Sequence, residues 1–302
     1  MGKGGRAEID GRAEIDGCRK KLQLVTISEA GAHRFSNAHL LYGFRQYNDT
    51  SLFSALLTLH GQTFNIWSHL AGTLPVWYAG VFGGSYEHAP NMSRVLVLHA
   101  LVAIACGYAS AAYHIAESFP VQTFKRMLML DYAMSFLACA AHSALISAFY
   151  FRDAPRTAFA LCAVVAASTV YGIRSLTSVG AMANKQATVT IMAVPLLLTV
   201  PIMLHSFAAD PSSDFSTVLM RWFLSFAAAT AAFVLQIPER FFAQGTFDYF
   251  GNSHNVMHVL VLLVWLVLHG GIRAILEEEE RQAAAAAGGG ALGRLYGALL
   301  GS

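Results

Sequence analysis

Beyond residue 60 the apolar residues of this chain come in long blocks rather than at alternating or helical intervals. Seven blocks, near 63–83, 95–114, 127–150, 157–173, 187–207, 217–236 and 255–276, approach the roughly 20 residues that a helix needs to cross a bilayer core. Each predicts a membrane-spanning helix. The fourth is short, and Tyr171 to Arg174 predict an early end for it. Pro75, Pro195 and Pro201 fall inside blocks, where a kink is tolerated if neighbouring helices satisfy the freed backbone groups. Ahead of the first block, Ser51 to Leu59 is amphipathic and predicts a short helix lying along the membrane surface. The expected fold is an all-α integral membrane protein. A seven-helix bundle over residues 41–276 follows a largely disordered segment 1–40 and precedes a low-complexity tail 277–302.

Composition supports that class. Of 302 residues, 55% are hydrophobic and 13% charged, with a mean hydropathy of +0.48, against roughly 25% charged in a soluble domain. A net charge of +2 without a basic, aromatic-interleaved stripe argues against a nucleic-acid partner. The N-terminal region carries a repeated hexapeptide, Gly5 to Asp10 and Gly11 to Asp16, then a basic cluster at Arg19, Lys20 and Lys21. Its polar character predicts no cleaved signal peptide. All four cysteines are expected as free thiols, since no paired spacing occurs among Cys18, Cys106, Cys139 and Cys162. The tail, with Glu277 to Glu280, five alanines and three glycines, reads as a helix end running into flexible chain.

Charge also predicts orientation. Thirteen Lys and Arg precede the first block or fall in loops on that side, and seven fall on the other. The positive-inside rule then puts the N-terminus in the cytosol and the C-terminus outside, the inverse of a G-protein-coupled receptor. An Asn91-Met92-Ser93 sequon lies in the first outside loop. Plasma membrane and internal membranes both suit such a chain.

The chemistry gathers at the predicted cytosolic ends. His254 and His258 are four residues apart at the mouth of the last block, so on a helix they share a face. His114 closes the second block at the same level, and Ser110 stands one turn above it. Asp131, about one turn into the third block, is costly in hydrocarbon unless partnered. Three histidines with an open fourth position make a catalytic type of zinc site, where a water's pKa falls to about 7. In such a site Asp131 holds or deprotonates the water, and Ser110 hydrogen-bonds it or a substrate oxyanion. His60 and His69 are assigned structural roles. His99, His142, His205 and His269 are assigned helix–helix hydrogen bonds or interfacial positions, and Trp67, Trp77, Trp222 and Trp265 mostly interfacial ones.

From Tyr42 to Gly271 the chain resembles the progestin and adipoQ receptors, a family that includes the adiponectin receptors and hemolysin III-like proteins. The carriers are Ser110-x-x-x-His114, Asp131 seventeen residues later, Pro238-Glu239-Arg240-Phe241-Phe242, and Ser253-His254-x-x-x-His258. His60-Gly61-Gln62-Thr63-Phe64-Asn65-Ile66-Trp67-Ser68-His69 is similar to the family's approach to its first helix. The resemblance implies zinc ligands at His114, His254 and His258, a water-mediated zinc contact from Asp131, and a role for Ser110. One departure stands out: Gln62 replaces the family's usual Glu.

What the resemblance implies for activity divides. One expectation is a receptor for an extracellular hormone-like or steroid-like ligand, with structural zinc. The other is a zinc-dependent amide hydrolase of ceramide type, for which membrane lipid (ceramide or fatty acid) is the substrate or ligand. A cytosol-facing site within the membrane suits a lipid, and outside loops of about ten residues are small for a protein hormone. A channel or transporter is the third expectation, disfavoured because no internal repeat is visible among the blocks and the polar cluster lies at one end of the bundle.

Overall fold

The computed structural model describes residues 24–26, 37–81, 86–87, 89–178 and 194–300. The hexapeptide repeat, the basic cluster, Cys18 and residues 179–193 lie outside them. Among the described residues there are eight α-helices: α1 (Leu52–Leu57), α2 (Thr63–Val81), α3 (Pro90–Ile115), α4 (Val121–Tyr150), α5 (Pro155–Ser178), α6 (Val200–Ala209), α7 (Asp214–Leu235) and α8 (Ser253–Leu300). The strands are a two-residue antiparallel pair, β1 (Leu24–Val25) with β2 (Phe44–Arg45).

Five helices, α3, α4, α5, α7 and α8, are long and apolar enough to cross a membrane. The chain is therefore a multi-pass, all-α membrane protein. The first and fifth expected spans fall short of that measure for different reasons. Helix α2 has 19 residues but carries Asn65, Ser68, His69 and Thr73. Asn65 and Thr73 are buried, and Ser68 and His69 half-buried. In the fifth block only Val194–Ala209 is apolar helix among the described residues. Helix α5 continues past Tyr171 to Ser178, so the early end expected there does not occur. The backbone of α8 runs through the expected flexible tail to Leu300, in keeping with the high helix propensity of its alanine run.

Helices α2 to α5 pack each against the next, α7 packs along α8, and α8 contacts α2 and α3. Where α2 crosses α3 the backbones are close because small residues face each other. A Cβ on Gly80 would stand 2.1 Å from that of Ala100, and one on Gly107 would stand 2.5 Å from Thr73 Cγ2. Such small-residue contacts are a common way for helices to associate in lipid. The apolar core joins Leu96, Leu145, Phe149, Leu219, Leu268 and Ile272 from α3, α4, α7 and α8. The bundle's outer surface is also apolar, with Leu98, Phe159, Tyr171 and Leu204 exposed, as lipid contact requires. Helix α1 exposes Leu52, Phe53 and Leu57 while burying Ser54 and Ala55, the asymmetry of a helix on a membrane surface.

Two tryptophans depart from the interfacial expectation. Trp222 and Trp265 are 3% and 4% exposed and pack on histidines. His99 packs against Trp265 with ring centroids 4.0 Å apart and the planes tilted by 41°, and His142 does so at 4.4 Å and 48°. His99 Nδ1 meets His269 Nδ1 at 3.2 Å, and His99 Nε2 meets His142 Nδ1 at 3.1 Å. Helices α3, α4 and α8 are thus hydrogen-bonded through imidazoles. His99 turns its two nitrogens to different neighbours, so this trio does not converge on one point. His205 pairs with the Tyr150 hydroxyl.

Candidate metal centre

The last helix is seated by its own N-terminal chemistry. Asn252 Oδ1 accepts from the backbone N–H groups of His254 and Asn255, both at 3.1 Å, which is N-capping geometry. Glu239, 2% exposed, accepts from the Ser253 N–H at 2.6 Å, from the Ser253 hydroxyl, and from Asn37 Nδ2 at 2.7 Å. Pro238 to Phe242, noticed in the sequence only as a motif, thus anchors the start of α8 one residue before His254. A carboxylate at this end also complements the helix dipole.

From that start, His254 and His258 project one turn apart toward the end of α3. His258 Nε2 lies 3.1 Å from His254 Nε2, which lies 3.3 Å from His114 Nε2. Two ligands of a tetrahedral ion with Zn–N bonds of about 2.0–2.1 Å stand roughly 3.3 Å apart, so both separations fit one ion. Among the described residues, the group of three metal-ligand side chains whose atoms converge in this way is His114, His254 and His258.

The opposite ring nitrogens of His114 and His258 are held. His114 Nδ1 is 2.8 Å from Gln62 Oε1. An amide oxygen only accepts, so the proton is on Nδ1 and the Nε2 lone pair is free. The Ser68 hydroxyl donates to the Asn65 carbonyl at 3.1 Å and lies 3.2 Å from His258 Nδ1. His258 therefore donates from Nδ1, and its Nε2 also presents a lone pair. Lone pairs aimed at a common point, with their tautomers set from behind, are what a cation needs. The donor set fits a metal.

Further support was not apparent from sequence. Asn255 Nδ2 donates to Asn65 Oδ1 at 2.6 Å, and Asn65 Nδ2 donates to Gln62 Oε1 at 2.6 Å, which ties α8 to α2. His69, assigned a structural role, lies against the site with its ring centroid 4.0 Å from that of His258. Ser110 of α3 and Asp131 of α4 interact electrostatically across the two helices. Ser110 is buried one turn from His114, and Asp131 is half-buried. Asp131 is outside the converging group of ligands.

His60, fully buried just before α2, accepts at Nδ1 from the Gln62 N–H at 3.1 Å and donates from Nε2 to the Ala55 carbonyl at 2.9 Å. Both nitrogens are used by the neutral ring. Burial, with nearby Arg45 adding to it, lowers its pKa from 6.5 to about 4, against the opposing Ala55 hydrogen bond. The unfolded chain therefore takes up a proton first as the pH falls. His60's contribution is undiminished above about 6.5 and turns against the fold between 6.5 and 4. The expected result is a thermal midpoint in detergent that drops over this interval, with a shallower drop in His60→Gln.

A polytopic helical membrane protein whose helices close on three converging histidines is the class that fold and site define. The chain belongs to the haemolysin-III related family, whose profile matches residues 57–268. It is 24% identical over 262 residues to progestin and adipoQ receptor family member 3 of Mus musculus, covering 81% of this chain and 84% of that one. The adiponectin receptor protein of Drosophila melanogaster is 25% identical over 236 residues, 73% of this chain and 52% of that protein. An uncharacterized protein of Schizosaccharomyces pombe is 23% identical over 257 residues, 80% of this chain. The chain spans 57% of that yeast protein's length, and so little more than half of the yeast and fly relatives.

Proposed function

We propose that this chain is a seven-span membrane receptor of the adiponectin-receptor type, its N-terminus in the cytosol and a zinc site near the cytosolic face, and that the site hydrolyses a lipid amide of ceramide class. The observation that carries the metal reading is the convergence of three Nε2 atoms, with the partner nitrogens of His114 and His258 engaged from behind. The relatives' names support the receptor half. The apolar surface around the bundle supports a substrate that arrives through lipid.

When bound, zinc supplies Lewis acidity and lowers the pKa of a water toward about 7. Asp131 takes a proton from the attacking water and returns it to the departing nitrogen, so the C–N bond breaks as the C–O bond forms and the products are a fatty acid and an amine. Ser110 orients Asp131 toward the α3 face that carries His114. A carboxylate in this role contributes about 10²–10⁴ in rate.

A second reading rests on another observation. The three ligands come from α3 and α8 alone, and Asp131 is not among them. An ion there fastens the last helix to the second span, which is a structural task within a receptor. Asp131→Asn separates the two. In liposomes with zinc-loaded protein, the hydrolase reading expects fatty-acid release from ceramide to fall at least a hundredfold while metal content stays. Release by wild type no greater than by Asp131→Asn would sink it and leave the structural role.

A further inference from the structure

Behind His114 a line of polar groups ends in charge. Gln62 Oε1 faces His114 Nδ1 at 2.8 Å and accepts from Asn65 at 2.6 Å, and Gln62 Nε2 donates to Glu117 Oε1 at 2.8 Å. Glu117 is 7% exposed and lies in the 3-10 turn Ala116–Ser118 that follows α3. Arg45 of β2, 4% exposed, stands in the field of Glu117 and donates through Nη2 to the Ile115 carbonyl, next to His114.

Each link constrains the next. An arginine does not lose its proton in a protein, so its buried charge favours Glu117 as a carboxylate. A carboxylate only accepts, so the Gln62 nitrogen must face Glu117. The Gln62 oxygen then faces Asn65 and His114, and both must donate. The His114 proton is thereby held on Nδ1, and Nε2 is left to the metal. A flipped Gln62 would present N–H to Nδ1 and drive the proton onto Nε2, where it blocks the ligand position. A carboxylate at position 62 would oppose Glu117 at this same 2.8 Å spacing.

We propose that Glu117 is a positioning residue which, through Gln62, sets the metal-binding tautomer of His114, so that the carboxylate behind this ligand stands at 117 instead of 62. The inference rests on the three histidines binding a metal, but its first consequence, the tautomer, is measurable without one.

The test compares wild type with E117Q, Q62E and the double variant Q62E/E117Q, each purified in detergent as the full chain. Zinc affinity is read by competition with a chelator, and the His114 tautomer by ¹⁵N shifts of metal-free, histidine-labelled protein, assigned with His114→Asn. Either single change lowers affinity about 10–100-fold, the usual cost of losing a group that orients a ligand, and E117Q moves His114 away from the pure Nδ1–H form. The double variant recovers to within a few-fold of wild type, because a carboxylate at 62 accepts from His114 and the new amide at 117 donates to it. A merely structural contact predicts additive losses. Wild-type affinity and tautomer in E117Q, or a double variant worse than both singles, would overturn the proposal. Absence of zinc binding in wild type, together with an Nδ1–H His114 that E117Q disturbs, would instead overturn the metal reading and leave the relay standing.

Discussion

Replacing His254 and His258 together by alanine is expected to remove the metal outright, from about one zinc per chain to none by elemental mass spectrometry of purified protein. The two side chains supply two of the three converging Nε2 atoms, and His114 alone offers one. Stability should follow, because whatever binds only the folded state stabilises it by mass action, about 4 kcal/mol when free metal is a thousandfold above its dissociation constant. Two features make the outcome diagnostic. Chelator should lower the thermal midpoint of wild type toward that of the double variant, and should leave the variant unmoved. The apolar core of Leu145, Leu219, Leu268 and Ile272 and the His99–His142–His269 contacts lie elsewhere in the bundle. The variant should therefore remain helical and monodisperse. A variant that retains one zinc would show that the ion sits elsewhere. A well-folded wild type without metal would reduce the family relationship to one of fold, and the receptor reading would then stand without zinc.

The parts of this architecture that are legible in sequence are those governed by local composition. Long apolar runs locate the starts of α3, α4, α5, α7 and α8 and the ends of all but α8, which runs on to Leu300, since lipid imposes one requirement along the whole of each span. Helix α2 has a weaker apolar signal for the reason that makes it interesting. Asn65 and Ser68 face other helices, not lipid, and they dilute its apolar character. The convergence of His114, His254 and His258 was legible because a spacing of four in α8 and a matching depth in α3 leave few other arrangements. Their supports were not. Gln62 with His114, Ser68 with His258, Asn65 with Asn255 and Asn37 with Glu239 join residues 52 to 202 positions apart, and no periodicity encodes such pairs. Nor does depth alone reveal that His99, His142 and His269 meet, because that depends on how α3, α4 and α8 are rotated about their axes.

Glu239→Gln should be the most damaging single change outside the ligands. The wild-type side chain is buried, and its two oxygens take the Ser253 N–H, the Ser253 hydroxyl and Asn37 Nδ2. The amide keeps the shape but removes the charge, and it turns an N–H₂ group toward a donor. Hydrogen bonds to a charged group contribute roughly 1.5–3 kcal/mol each, and an unsatisfied buried partner adds its own desolvation cost. A loss of about 3 kcal/mol is therefore expected in denaturant or thermal unfolding. Asn252→Ala, which removes an N-cap acceptor, should cost about 1 kcal/mol. The larger consequence is functional. Glu239 holds the residue immediately before His254, so when it fails the first turn of α8 frays, and both ligands leave the register in which their Nε2 atoms lie 3.1 Å apart. Zinc affinity in Glu239→Gln should fall at least tenfold, within the range seen for groups that orient ligands, although the substitution touches no ligand. Unchanged affinity combined with lowered stability would separate the anchor from the site and make Pro238 to Phe242 a folding element only. Loss of both would show that the helix N-terminus and the metal centre are one cooperative unit, joined at Ser253.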